Sequence, residues 1–447
     1  MILNSAYNRC AEGDCPYQNP NALPTDPRID RIINKHLRNL GKRLKDRKAR
    51  RRIPGAAVMV RRGSVPVHVN CYGFANLETG EKITPYTLFD LGSLSKQFTA
   101  IAALNLIIAG QFKTKSKLSE FLDYFPRYAD EVTVEELIHH TSALPDYFKI
   151  YGANKRVNED WYEVAMRRPS HWYPQMAKRS KLPITNNKVV KWIASQKLLA
   201  EEPNSEFEYS NSGYVVLAAV VESAAEARLA EYLKKSIFDP LEMNSTYVFD
   251  DSTAFARDAP EILNHATCYN RVPNRAFVPI GYTPMNFVYG DGNIHSNILD
   301  LATWDWRLHR LDYAAYKNET QEEAAQQIRE MLWKPIRIKN HKRVKYGAGW
   351  HLLRSKYKRT FKRNGNTFTR KYESHGEFHR GEWLGWRSYI ARAARWEVPK
   401  RDQKTWDSLG IVVLSNNYRF EVETMVQKIS QLFWGKEHNI MNRFDLE

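Results

Sequence analysis

The stretch FDLGSLSKQFTA, residues 89–100, joins a strand-like run to a strong helix pattern. Apolar residues recur at helical spacing from Ser95 to Ile108, so we predict a buried helix there. Ser93 and Lys96 stand at its start, and positions three apart share one helix face. An uncharged lysine amine placed in this way can take the proton of a serine hydroxyl and activate it. We therefore predict Ser93 as a catalytic nucleophile and Lys96 as its base.

A serine followed three positions later by a lysine is not specific in itself. Ser355 and Lys358 repeat the spacing in a basic stretch without a burial pattern, where we predict a loop. Only the Ser93 pair follows a strand-like run and opens an apolar helix, which is the setting that the chemistry requires. This setting favours Ser93 over Ser355.

Tyr209 and Asn211 form a second candidate group. They lie in EYSNSGY, residues 208–214, between a Pro-Asn turn and an apolar helix. Tyr209 can share a proton with Lys96, although a purely structural tyrosine is the alternative. Asn211 can hydrogen-bond either Lys96 or the substrate.

His379 and Gly381 form a third group, the H-x-G sequence His-Arg-Gly. The glycine permits a close approach of another backbone. A lone histidine is more often a surface or hydrogen-bonded residue than a catalytic one, so the order of the three groups along the chain is what makes His379 a candidate.

The remaining patterns predict an α+β fold. Two β-rich runs, Ala56–Val60 and Val65–Tyr72, predict an antiparallel hairpin. Helical patterns dominate from about residue 113 to about 300, strand-like runs return at 346–353, 388–393 and 409–414, and a last helix is predicted over 421–434. We predict three parts: an N-terminal extension at 1–52, a sheet domain at 53–112 and 291–447, and a mainly helical domain at 113–290.

Composition restricts the classes of protein. The 447 residues are 43% apolar and 12% aromatic, which argues against a disordered or fibrous chain. The formal net charge is +17, and its densest block, Lys35 to Arg52, lies in an amphipathic helix predicted over Asp30–Arg52. Such a run is either a solvated helix face or a surface for an anionic membrane or polymer. If the run is a binding surface, the chain could be a non-catalytic binding protein.

Other sequence signals are mostly negative. The four cysteines show no zinc-finger spacing, although Cys10 and Cys15 can pair across a short loop. The N-terminus lacks the pattern of a secretory signal, and the longest apolar run, 101–110, is too short to cross a bilayer. These signals predict a cytoplasmic protein without a transmembrane segment, unless a leader was removed. They leave the oligomeric state open.

Taken together, the three groups resemble the active-site motifs of the penicillin-recognising serine hydrolases, and more narrowly the class C β-lactamase-related group. The resemblance covers about residues 53–435. It extends to five accessory stretches: FDLGSLSKQFTA (89–100), LIHHTSALPDY (137–147), PLEMNST (240–246), GDGN (290–293) and YGAGW (346–350).

The resemblance implies an antiparallel sheet flanked by helices, with an inserted all-helical domain. It implies that Ser93 forms an acyl-enzyme, that Lys96 and Tyr209 exchange its proton, and that the N–H groups of Ser93 and Glu382 stabilise the oxyanion. A small acyl compound is the implied substrate, and no metal or organic cofactor is implied.

Two departures from the family pattern narrow the chemistry. His379 replaces the lysine of a Lys-Thr-Gly motif, so a permanent cation for a substrate carboxylate is missing unless Arg380 or Arg387 supplies one. Ala143 and Asn204 stand where the family commonly has glycine. We therefore expect an esterase or D-peptidase rather than an efficient β-lactamase, with acyl transfer as an alternative.

Overall fold

A computed structural model of the protein describes residues 15–17, 23–42, 44, 47, 49–147, 185–200, 202–250, 264–271, 277–280, 288–313, 319–363, 366–398 and 407–435. The strands are β1 (Ala56–Arg62), β2 (Val65–Tyr72), β3 (Phe89–Asp90), β4 (Tyr247–Val248), β5 (Tyr269–Arg271), β6 (Phe277–Pro279), β7 (Ile294–Ser296), β8 (His351–Arg363), β9 (Asn366–Trp383), β10 (Trp386–Val398) and β11 (Asp407–Ser415). The main sheet is antiparallel, with six strands in the order β2-β1-β11-β10-β9-β8.

Helices pack on both faces of this sheet, and none in the described ranges is both long and apolar enough to cross a membrane. They are α1 (Pro27–Lys42), α2 (Ser95–Ile108), α3 (Val134–Ile138), α4 (Asn186–Ala194), α5 (Asn211–Ala225), α6 (Leu229–Leu233), α7 (Ile298–Tyr313), α8 (Glu319–Trp333) and α9 (Val422–Trp434).

Alternate residues of β1 separate two apolar layers, because successive side chains of a strand point to opposite faces. Ala57 and Met59 belong to the core that contains α2 and α7, whereas Ala56 and Val58 belong to the core that contains α1 and α9. Helices α3 to α6 are inserted between β3 and β7. The predicted α+β fold class is confirmed, while the exact domain boundaries stay a prediction.

Several predicted elements have the observed bounds or nearly so. Helix α2 begins and ends at the predicted residues, the β1–β2 hairpin is present, and α9 begins one residue after the predicted start. The glycine positions of the family keep a left-handed backbone here, with φ of 57° at Ala143 and 60° at Asn204. The possible disulfide between Cys10 and Cys15 is not described, because Cys10 lies outside the described residues.

The prediction of one helix over Asp30–Arg52 is wrong at its C-terminal end, because α1 stops at Lys42. The chain turns back after Gly41, whose carbonyl accepts a 2.9 Å hydrogen bond from the Leu44 N–H. A Cβ added to Gly41 would lie 2.9 Å from the Arg50 carbonyl oxygen, so the returning chain needs the glycine. Periodic cations alone did not reveal this turn.

The loop predicted at Ser355–Lys358 is also wrong, since these residues lie in β8. Strand β9, which was not predicted, pairs through its residues 366–378 with the whole of β8. Lys356 lies opposite Glu373, and the two side chains form an ion pair of 2.8 Å. Main-chain pairing therefore holds together a hairpin that has little apolar patterning.

Strand β9 positions the turn that carries Ser93. This turn, Gly92–Leu94, is a short 3₁₀ helix that leads directly into α2. Gly381 of β9 packs so closely that an added Cβ would lie 1.9 Å from the Leu91 carbonyl oxygen, which also accepts a 2.6 Å hydrogen bond from the Ser388 hydroxyl. The sheet therefore holds the turn through main-chain contact.

We expect Gly381→Ala to destabilise the protein by about 1–3 kcal/mol or more, because the new methyl group would overlap the Leu91 carbonyl. Urea unfolding would measure the loss. Gly292→Ala is the control, since its methyl group would meet no atom closer than 4.0 Å. Equal stability of the two variants would contradict the close approach.

Candidate functional site

An open cavity of about 460 Å³ lies beside the Gly92–Leu94 turn, between β9 and the helical insertion. Ser93 is on its wall and remains partly exposed. The described lining residues are Asp90, Gly92, Ser93, Tyr147, Asn211, Val288, Asp291, Gly292, Asn293, Glu382 and Trp383.

Lys96 lies behind Ser93 and is completely buried. Its Nζ is 3.0 Å from Ser93 Oγ, 2.8 Å from Asn211 Oδ1 and 2.8 Å from the Asp291 carbonyl oxygen. All three acceptors are uncharged groups. The structure thus brings Ser93, Lys96 and Asn211 together, while their catalytic roles stay a prediction.

The orientation of Asn211 is fixed by Asp146. Asp146 Oδ2 accepts hydrogen bonds from the Asn211 main-chain N–H at 2.8 Å and from Asn211 Nδ2 at 3.0 Å. Because a carboxylate only accepts, the amide NH₂ must face Asp146. The Asn211 oxygen is therefore the atom presented to Lys96.

Tyr209 lies beside Lys96 through its ring. Lys96 Nζ is 5.0 Å from the centre of the Tyr209 ring, which packs at 4.3 Å against the ring of His140. Within the described part of the chain, the Tyr209 hydroxyl forms no hydrogen bond with Ser93 or Lys96. Proton exchange between Tyr209 and Lys96 stays a prediction.

His379 is not on the described cavity wall, and its contact with substrate stays a prediction. It is buried, its Nδ1 lies 2.7 Å from the Arg380 carbonyl, and its Nε2 lies 3.0 Å from the Tyr346 hydroxyl. The carbonyl only accepts, so Nδ1 donates and Nε2 accepts from Tyr346. Burial, aided by His351 and the charge of Lys96, holds the pKa of His379 well below its usual range.

Glu382 reaches the cavity at the end of β9, and its main-chain nitrogen lies against the serine-bearing turn. A Cβ on Gly92 would be 2.8 Å from that nitrogen. The Glu382 carboxylate is 2.9 Å from Arg387, and Arg380 lies 3.8 Å from Glu423 of α9. Both arginines that were candidates for the missing cation therefore face carboxylates, while the nearby Gly381 serves the close packing described above.

Sequence reasoning missed a buried chain of groups that ends at Asp90. His265 Nδ1 is 3.3 Å from the Ala266 carbonyl and must donate to it, so its Nε2 accepts from His295 Nδ1. This leaves His295 Nε2 without a proton, 3.7 Å from Asp90 Oδ2. Asp90 Oδ1 accepts a 2.8 Å hydrogen bond from the Gly92 N–H, and burial raises the pKa of Asp90 to about 7.

Sequence reasoning also assigned no role to Asp146, Tyr147 and Asp291. Asp146 and Tyr147 lie in the accessory stretch LPDY of the family pattern, and Asp291 lies in GDGN. Their place in these stretches was the available signal. The Tyr147 hydroxyl donates to Asp291 Oδ2 at 2.9 Å. Burial raises the pKa of Asp291 to about 6, although the charge of Lys96 opposes the shift.

Comparisons with known proteins place this site in context. Residues 36–428 match the profile of the family described as Beta-lactamase. A penicillin-binding protein of Bacillus subtilis (strain 168) is 29% identical over 331 residues, which are 72% of this chain and 64% of that protein. A D-aminopeptidase of Brucella canis is 25% identical over 58% of this chain and 43% of its own length. The chain thus spans less than two thirds of these relatives.

Solved structures share the fold. The octameric penicillin-binding protein homologue of Pyrococcus abyssi superposes with a TM-score of 0.61 and 21% identity, over 93% of this chain and 80% of that one. The D-amino acid amidase of Ochrobactrum anthropi SV3 gives a TM-score of 0.59 and 17% identity, over 92% of this chain and 99% of that one.

We expect Asp90→Asn to stabilise the protein more at pH 8 than at pH 5. The folded-state pKa of Asp90, about 7, exceeds the ordinary value of about 3.9. The protonated carboxyl of Asp90 therefore contributes to the free energy of unfolding at low pH, and this contribution is lost as pH rises through about 7. Asparagine keeps the acceptor for Gly92 and can donate to His295.

Thermal or urea unfolding of both proteins at the two pH values would show the effect, on the order of 2 kcal/mol. The exposed Asp123→Asn provides the same charge change away from the cavity. A wild-type-to-variant difference that is independent of pH would contradict the assignment of a proton to Asp90.

Proposed function

This chain belongs to the beta-lactamase family, as its motifs predict, and from that premise we propose that it is a serine hydrolase that forms an acyl-enzyme on Ser93. The observation that carries the proposal is the 3.0 Å distance between Lys96 Nζ and Ser93 Oγ at the cavity wall. A hydroxyl in this position has both a base behind it and space for a substrate in front of it.

Acylation requires the uncharged form of Lys96. Its two N–H groups donate to Asn211 and to the Asp291 carbonyl, which leaves its lone pair for the Ser93 proton. As Lys96 takes this proton, Ser93 Oγ bonds to the acyl carbon of the substrate. The oxyanion formed there accepts hydrogen bonds from the N–H groups of Ser93 and Glu382.

Collapse of this intermediate breaks the bond to the leaving alcohol or amine. The proton held by Lys96 passes to that leaving group, either directly or through the Tyr209 hydroxyl. A water molecule then gives a proton to Lys96 and attacks the acyl carbon, which releases the acid and returns the proton to Ser93. An alcohol or amine in place of water would give acyl transfer.

Esters and amides or peptides of D-amino acids are the proposed substrates. The relatives named D-aminopeptidase and D-amino acid amidase support this class by their names. Neutral, buried His379 and the carboxylate partners of Arg380 and Arg387 argue against strong binding of the carboxylate that β-lactam antibiotics carry.

A fluorophosphonate should label the wild-type protein on Ser93, and Ser93→Ala should abolish the label together with hydrolysis of p-nitrophenyl acetate. Peptide mass spectrometry would locate the adduct. Ser355→Ala is the matched control, because it removes the serine of the second S-x-x-K sequence and should leave both readouts unchanged. Label that persists in Ser93→Ala would remove the assignment.

A second candidate function rests on α1. Arg31, Lys35, Arg38 and Lys42 are exposed at helical spacing, and no ion pair engages them within the described ranges. The apolar face of α1 is buried in the core beside α9, so the exposed face offers charged and polar side chains to a partner. We propose that this cationic stripe binds a soluble polyanion.

Single-stranded DNA of about 20 nucleotides can serve as the polyanion probe. The logarithm of its association constant should fall linearly with the logarithm of the salt concentration, with a slope of about −0.7 for each phosphate contacted. Changing the four cations of the stripe to glutamine should flatten that slope while ester hydrolysis is kept. Salt-insensitive binding, or an unchanged slope in the variant, would reject the stripe as a binding surface.

A further inference from the structure

His140 is a buried residue that holds the main chain on both sides of Tyr209. Its carbonyl oxygen accepts a 3.0 Å hydrogen bond from the Glu208 N–H, and its Nδ1 accepts a 3.1 Å hydrogen bond from the Ser210 N–H. Ser210 is buried too, so loss of the Nδ1 acceptor would leave a buried donor unpaired. A single residue therefore fixes both chain neighbours of Tyr209.

The imidazole of His140 also packs against the ring of Tyr209. The two ring centres are 4.3 Å apart, and the rings of Tyr214 and Tyr346 lie 5.0 Å and 4.6 Å from the same imidazole. Lys96 Nζ is 5.0 Å from the centre of the Tyr209 ring. His140 thus holds Tyr209 beside the proposed base through its ring as well as through the main chain.

These contacts require a neutral imidazole. Because Nδ1 accepts from Ser210, the ring proton is on Nε2. Burial, aided by the charge of Lys96, holds the pKa of His140 well below its usual range. The Nδ1 lone pair therefore stays available to Ser210 while Lys96 gains and loses a proton.

The backbone of His140 is in the left-handed region, with φ of 58°. This conformation costs free energy for a residue other than glycine, and such strained residues concentrate at functional sites. The strain at His140 is therefore consistent with a role in the site.

We propose that His140 is a positioning residue that holds Tyr209 where its hydroxyl can pass a proton to the leaving group. This inference rests on the proposed function, in which the proton on Lys96 reaches the leaving group either directly or through Tyr209. It assigns the second route and names the residue on which that route depends. A misplaced Tyr209 would slow the loss of a leaving group that needs a proton and would spare one that leaves as a stable anion.

Two acetate esters separate these cases, because they form the same acyl-enzyme. The leaving group of p-nitrophenyl acetate is a stable anion, whereas that of phenyl acetate depends more on a proton. His140→Gly removes the Nδ1 acceptor and should lower kcat/KM for phenyl acetate about tenfold more than for p-nitrophenyl acetate.

His140→Asn is the conservative variant. Its side-chain oxygen, like Nδ1, is bonded to Cγ and can accept from Ser210, so the ratio of the two esters should stay within about threefold of the wild-type ratio. Glycine and asparagine both tolerate a left-handed backbone, so strain does not separate the two variants. An equal loss for both esters in His140→Gly, or a ratio in His140→Asn that falls as far as in His140→Gly, would overturn the inference.

His139→Gly is the matched control. His139 is the adjacent buried histidine, and its Nδ1 lies 2.8 Å from the Glu135 carbonyl oxygen instead of bonding the chain beside Tyr209. This variant should keep the wild-type ratio of the two esters. A fall in His139→Gly equal to that in His140→Gly would contradict a specific role for His140.

Tyr209→Phe tests whether His140 acts through Tyr209. It should lower the ester ratio at least as much as His140→Gly does, and adding His140→Gly to it should lower the ratio no further, because the two residues belong to one unit. A further fall in the double variant would overturn the inference. An unchanged ratio in Tyr209→Phe would do so as well, even if His140→Gly does not fold.

Fluorophosphonate labelling of Ser93 shows whether each variant is folded, because fluoride leaves without a proton. His140→Gly should be labelled as the wild type is. Label on Ser93 together with an unchanged ester ratio in His140→Gly would remove this inference and leave the proposed function standing. Absence of both label and Ser93-dependent turnover in the wild type would defeat the proposed function and this inference with it.

Discussion

The buried amine of Lys96 is the contact on which the rest of the site depends. It joins the serine-bearing turn to α5 through Asn211 and to the 290–293 loop through the Asp291 carbonyl, residues 115 and 195 positions away in the chain. Moving an amine from water into the protein interior costs free energy unless protein groups satisfy its hydrogen bonds. The nucleophile is therefore placed correctly only when these three distant segments have folded together.

The main sheet imposes a second constraint, on the opposite side of Ser93. Gly381 lets β9 touch the Leu91 carbonyl, and the next residue brings its N–H to Gly92. These are main-chain contacts, so they do not involve the side chain at position 379. The loss of the family lysine therefore changes the charge of the site while its backbone frame is kept.

Regular apolar periodicity made part of the fold predictable. Helix α2 and the β1–β2 hairpin bury repeating apolar residues, and their predicted bounds agree with the structure. The end of α1 was not predictable in this way, because its cations continue while a tertiary contact at Gly41 stops the helix. The β8–β9 hairpin lacks an apolar pattern, although the Asn-Gly pair at 364–365 is typical of a hairpin turn.

The candidate site was predictable where neighbouring positions carry the chemistry. Ser93 and Lys96 are neighbours in sequence, and the ordered motifs added Asn211. Asp146 orients Asn211 across 65 positions, and although Asp146 lies in an accessory stretch of the family pattern, its partner cannot be read from the neighbouring residues. The burial of His379 was hidden for a related reason, since it depends on Tyr346 and on other rings that reach it from distant segments.

The protein as a whole is strongly basic, whereas the wall of its cavity carries acids. Screening by salt explains how the two coexist. The net charge of +17 includes the exposed cations of α1, which belongs to the layer on the side of the sheet opposite α2. In physiological salt, exposed charges are screened beyond about 8–10 Å, whereas buried groups are screened much less. The exposed cations of α1 are therefore screened more strongly than the buried Asp90 and Asp291 of the cavity wall, and an acidic wall can persist inside a strongly basic protein.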